Sequence, residues 1–174
     1  EGVYCVSDLC FVEDLNDEYL LGKVKGLGFR DREGNVNLNE INQLVPENKL
    51  HIDLPFIAWD LLPPVNKYRT SYWHSWSNNT ENSPFASIYS TFGCRYKCHF
   101  CMINIINRTE RGDHVSAANS NVYREYDPNV VIEQLDKFAK WGVKNIKWVD
   151  ELLVYNPKHF LKICDLIIER GYNF

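Results

Sequence analysis

Between residues 85 and 174 the chain alternates between two hydrophobic patterns, and that alternation limits the folds open to it. Ala86–Thr91 is a short β-prone run ending at Phe92-Gly93. Asp127-Pro128 then offers an N-cap followed by proline at the first helical position, and Val130, Val131, Leu135, Phe138 and Ala139 recur at helical spacing. Gly142 ends that helix. Val143–Val149 reads as a second strand with Asp150-Glu151 at its C-terminal end. Asn156-Pro157 opens a second helix through Arg170, Gly171 closes it, and Tyr172–Phe174 reads as the start of another strand. Strands alternating with helices imply an α/β fold, a parallel sheet or barrel with helices outside. Two βα units neither close a barrel nor cover both faces of a sheet, and the chain opens on Glu1. The expectation is a piece of a longer protein.

Upstream the pattern is looser. Glu1–Leu20 carries no clear periodicity, with Cys5 and Cys10 as lone cysteines. Val24–Phe29 and Val36–Asn39 read as the arms of a β-hairpin, joined by turn chemistry at Asp31-Arg32-Glu33-Gly34-Asn35. Residues 41–84 read as a linker, because Pro46, Pro55, Pro63, Pro64 and Pro84 interrupt helices and ladders alike. Trp59, Tyr68, Tyr72, Trp73, Trp76 and Phe85 are costly to leave in water, so the linker is expected to be ordered and packed on a neighbouring domain. The chain thus divides into 1–40 with the hairpin, the linker 41–84, and 85–174 as the start of the α/β part.

Three of the six cysteines fall within eight residues, Cys94-Arg95-Tyr96-Lys97-Cys98-His99-Phe100-Cys101, spaced C-x3-C-x2-C. A tight loop of that spacing can aim three sulfurs at one centre. A [4Fe–4S] cube is normally held by four thiolates, so three leave one iron open to a cofactor or substrate. Other readings stay open. A structural zinc site would take His99 or His114 as a fourth ligand, although zinc motifs usually bring two spaced pairs. A disulfide would strand one thiol, and inert core cysteines sit poorly beside Gly93, Arg95 and Lys97.

The cysteine spacing and its surroundings resemble the radical S-adenosylmethionine (radical SAM) superfamily, in its cobalamin-binding branch. The resemblance includes Trp59-Asp60-Leu61-Leu62-Pro63, Tyr68-Arg69, His74-Ser75-Trp76 and Pro84–Tyr89 before the motif, and Cys101–Asn104 and Tyr123-Arg124 after it. Glu1-Gly2 resembles the close of a cobalamin domain, and the hairpin resembles the segment after that close. The fold so implied is an incomplete radical SAM (βα) barrel, holding its first two βα units. The resemblance implies that Cys94, Cys98 and Cys101 ligate three irons and that SAM chelates the fourth. Phe100 would lie near the adenine, and Asp150 and Glu151 would accept hydrogen bonds from the SAM ammonium. Reductive cleavage of SAM would give a 5′-deoxyadenosyl radical that abstracts hydrogen from substrate. Cobalamin, held mainly by an upstream region, would make the reaction a methyl transfer or a related radical step. The implied partners are a small-molecule or lipid-like substrate and an electron donor such as flavodoxin or ferredoxin.

Two other functions share parts of this pattern. A tRNA methylthiotransferase would have the same cluster, yet usually brings further cysteines and a basic RNA-binding domain. A non-enzymatic zinc-binding interaction module would share only the thiols. The net charge of −4 argues against nucleic-acid binding by bulk attraction. No apolar run approaches the ~18 residues of a membrane span, and no secretion signal opens the chain, so a cytoplasmic location is expected. Arg108, Arg111 and Arg124 are read as surface loop, His74 as a packed linker residue, and Cys164 as core.

Overall fold

A computed structural model describes residues 2–70, 83–96, 98, 100–103 and 123–174. The chain divides into two compact units, Glu1–Pro46 with Arg95–Val122, and Glu47–Cys94 with Tyr123–Phe174. The architecture is mixed α/β with small sheets, and the described residues form no closed barrel.

The first unit opens with two short helices that hydrophobic periodicity did not reveal, α1 (Val3–Cys10) and α2 (Glu18–Leu21). Neither buries a residue fully, so neither leaves the apolar stripe by which a helix is recognised. Asp17 caps α2 by accepting from the Tyr19 and Leu20 N–H groups. The hairpin forms where expected, with β1 (Gly28–Arg30) antiparallel to β2 (Val36–Leu38) and Phe29 opposite Asn37. Its turn is held by the Asp31 carboxylate, which accepts from the Glu33 and Asn35 amides and from the Asn37 side chain. The first arm starts at Gly28 instead of Val24, because Val24 donates its N–H to Leu21 and Gly26 turns at φ +81°.

In the second unit, residues 47–70 are ordered turns and a short helix, α3 (Leu50–Asp53), that pack on the α/β part. Trp59, 8% exposed, meets Phe138 edge-on at 5.8 Å, and Phe56 stacks on Tyr126 at 4.5 Å. The Tyr126 hydroxyl ties the segment down by donating to the Leu54 carbonyl at 2.6 Å. Residues 71–82, with Tyr72, Trp73, His74 and Trp76, lie outside the described residues.

Strand β3 (Phe85–Ile88) pairs in parallel with β6 (Asn145–Trp148), in the register Phe85 to Asn145 and Ile88 to Trp148. Between them run β4 (Thr91–Phe92), antiparallel to β5 (Arg124–Glu125), and helix α4 (Pro128–Lys140). The expected single strand through Thr91 is therefore broken at Tyr89-Ser90. Helix α4 begins at the Asp127 cap, whose carboxylate accepts from the Asn129 N–H, and buries Val131, Ile132, Leu135 and Phe138 along one stripe. Helix α5 (Pro157–Arg170) packs beside it, capped by Asn156 and closed by Gly171 in the left-handed region at φ +62°. Tyr172–Phe174 does not form the expected strand. The Tyr172 hydroxyl instead donates to Asp136 on α4 at 2.6 Å.

Phe138 is fully buried among Trp59, Trp141 and the sheet-facing stripe. Phe138→Ala is expected to lower unfolding stability by about 3–5 kcal/mol through transfer and cavity losses. Asp127→Ala removes only a cap and is expected to cost about 1 kcal/mol. Urea unfolding of both variants beside the wild-type chain checks the order and the size.

Candidate functional site

The parallel ladder ends where the chemistry-bearing residues gather. Its last rung runs from the Val149 N–H to the Ile88 carbonyl. Immediately beyond it, the Asp150 Oδ1 accepts from the Ser90 and Thr91 amides at 2.9 and 2.6 Å and from both hydroxyls at 2.8 Å. Ser90 and Thr91 are completely buried, so water cannot replace this acceptor. The second oxygen, Oδ2, is buried with no hydrogen-bond partner among the described residues. Glu151, partly exposed, accepts from the Gly93 N–H at 3.3 Å, and Gly93 turns at φ +82° directly before Cys94. Only glycine takes that conformation without strain.

Around this corner lies a set of polar groups whose packing sequence reasoning did not foresee, since Tyr123-Arg124 entered only through the family resemblance and Glu125 not at all. Tyr123 and Glu125 flank the buried Arg124, which is 2% exposed and lies 5.8 Å over the Phe92 ring. Arg124 is thus no surface loop residue, since pairing with β4 carries it inward. The Glu125 N–H donates to Glu47 at 2.9 Å, and its carboxylate accepts from Asn156 at 3.0 Å. Burial, then the charge of Glu125 and a hydrogen bond to it, push the Tyr123 phenol far above its ordinary range. Tyr89 is raised as well, first by burial and then by the charges of Glu151 and Asp150. Burial and the hydrogen bond to Asp136 push Tyr172 up to about 12. The Ser90-Thr91 pair, polar residues closing an apolar β-run, offered a local cue to this cluster, beside the Tyr123-Arg124 dipeptide of the resemblance.

His159 is buried at the base of the same unit. Its Nε2 lies 2.7 Å from the Tyr126 carbonyl, which can only accept, so the proton sits on Nε2.

All six cysteines carry thiols and none is in a disulfide. Cys94 follows Gly93 in the second unit, half-buried. In the first unit the Cys101 N–H donates to the Cys98 carbonyl at 3.0 Å, closing a single turn that leaves Cys98 exposed and Cys101 half-buried. Phe100 is 93% exposed on that turn. His99, His114, Lys97, Arg108 and Arg111 lie outside the described residues, while Cys164 on α5 is half-buried. Among the described residues no three His, Cys, Asp or Glu side chains are gathered to hold a metal ion. The fit to an iron–sulfur cluster therefore rests on donor chemistry: three thiols on a short loop, with no fourth cysteine in it. No helix among the described residues is long and apolar enough to cross a membrane. No family model, curated protein or solved structure matches the chain.

The raised tyrosines have a measurable consequence. A phenol whose folded pKa exceeds its unfolded value of ~10 contributes stability that is whole below that pH and lost as pH rises toward the folded value. Stability is expected to fall as pH climbs above ~10, and Tyr123→Phe is expected to flatten that fall while Tyr89 and Tyr172 keep their share. Urea midpoints compared at neutral and alkaline pH check this. An unchanged slope in Tyr123→Phe would contradict it.

Proposed function

We propose that the chain carries part of a radical SAM active site, in which Cys94, Cys98 and Cys101 bind a [4Fe–4S] cluster with one iron left for S-adenosylmethionine. The observation that carries this reading is the position of the C-x3-C-x2-C run. It begins two residues after β4, beyond the C-terminal end of a strand that pairs in parallel with β6, and Asp150-Glu151 come after β6 at the same end. Functional groups of βα barrels gather at that end of their strands. The partial barrel implied by the resemblance belongs to the same proposal, with β3, α4, β6 and α5 as its first two βα units.

When bound, the cluster and SAM supply a 5′-deoxyadenosyl radical by one-electron cleavage of the S–C5′ bond, with flavodoxin or ferredoxin as the class of electron donor. The chain's own residues bind and orient. The three thiolates hold the irons, and Arg95 and Lys97 offset the charge of the loaded loop. In this reading Glu151 accepts from the SAM ammonium and Phe100 lies near the adenine, a role that the strong exposure of Phe100 allows. The substrate class is a small or lipid-like molecule. With cobalamin supplied from outside these residues, methyl transfer to an unactivated carbon is the reaction that joins both cofactors.

Anaerobic reconstitution and subsequent iron and sulfide analysis test the reading. The wild-type chain is expected to take up about four irons and four sulfides. Cys94→Ala, Cys98→Ala and Cys101→Ala should each lose most of that content, whereas Cys5→Ala and Cys10→Ala should keep it. Zinc retained in place of iron, with no iron–sulfur absorption, would overturn the proposal in favour of a structural zinc module.

A further inference from the structure

We propose that Asp150 is a positioning residue whose carboxylate clasps the end of β3 and so fixes where the chain departs toward Cys94. The consequence for metal binding rests on the reading of Cys94 as a cluster ligand; the clasp stands on geometry alone.

Beyond Ile88 the parallel ladder has no further acceptor for the chain, because Val149 makes the last rung. Two consecutive amides, Ser90 and Thr91, nevertheless point inward on residues with no exposure to water. Buried N–H groups require acceptors, and a single carboxylate oxygen meets both, together with the two hydroxyls, at 2.6–2.9 Å. Those four bonds hold Ser90 and Thr91 rigidly to the end of β6. Thr91 then opens β4, whose pairing with β5 aims Phe92-Gly93. The bond from the Gly93 amide to Glu151 secures the last residue before Cys94. Oδ1 is engaged four times, while Oδ2 is buried with no hydrogen-bond partner among the described residues. An amide at position 150 weakens the clasp, since its oxygen would meet the four donors without a charge and its NH2 would take the buried place of Oδ2, where no described group is hydrogen-bonded.

Hydrogen exchange and thiol alkylation on the iron-free chain test the clasp directly. Wild-type Ser90 and Thr91 amides should be protected. In Asp150→Asn their exchange should quicken at least about tenfold, as expected when buried donors lose a charged acceptor. Alkylation of Cys94 should rise with it while Cys5 and Cys10 stay at their wild-type rates. Thr91→Val, which keeps the amide and drops one hydroxyl, should shift both readouts by a smaller amount and serves if Asp150→Asn does not fold. Unprotected wild-type amides, or unchanged exchange and alkylation in both variants, would overturn the proposal. Reconstitution then separates the two readings. If the wild-type chain takes up no iron, the cluster reading falls and the exchange data still decide the clasp. If the wild type loads and Asp150→Asn loads equally, the positioning role falls while the cluster reading stands.

Discussion

The second unit depends on one carboxylate at the end of a two-stranded parallel ladder. A strand that bends away from its partner leaves buried amides behind it, and an unsatisfied buried amide costs about 1–3 kcal/mol. Asp150 removes that cost for Ser90 and Thr91 together. Its oxygen lets the chain leave the parallel pair, reverse into the β4–β5 pairing and reach Cys94 without an exposed or broken ladder. The surrounding aromatic groups, Phe92 on Tyr126 and Tyr126 on Phe56, then close the corner from the other side. The acid pair after β6 thus serves two stretches of backbone, with Asp150 accepting from Ser90 and Thr91 and Glu151 from Gly93.

The two long helices and their limits were legible because several local signals agree. Asp127-Pro128 and Asn156-Pro157 cap and start them, Gly142 and Gly171 end them, and the stripe through Val131, Leu135 and Phe138 marks the buried face. The same agreement failed at the N-terminus. Helix α1 has no side-chain cap and buries nothing fully, so its residues carry no pattern that distinguishes helix from loop. The break in the first strand was hidden for another reason. Ser90 and Thr91 are β-tolerant residues, and what turns them out of the ladder is an acceptor that lies, for Ser90, 60 positions further along the chain. At Tyr172, too, the structure makes a contact that local pattern does not carry, since its hydroxyl donates to Asp136, 36 residues away.

The candidate site divides similarly. The thiol spacing and the acid pair at a strand end are local features, and local pattern was enough to find them. The buried Arg124 and the Tyr123–Glu125 pair are tertiary features. A basic residue in a polar stretch ordinarily reads as surface, and only the antiparallel pairing of Arg124 with Phe92 carries it inward. Periodicity cannot report a contact of that kind.

In the proposed site, three thiolates leave one iron open to SAM. Electron paramagnetic resonance of the reduced, reconstituted chain, recorded with and without SAM, tests it most directly. SAM is expected to change the reduced-cluster signal in shape and g-values, and this response should be lost when excess cyanide blocks the open iron. A cluster signal identical with and without SAM would contradict the account, because a cube with a fully protein-ligated set of irons has no position at which SAM could act.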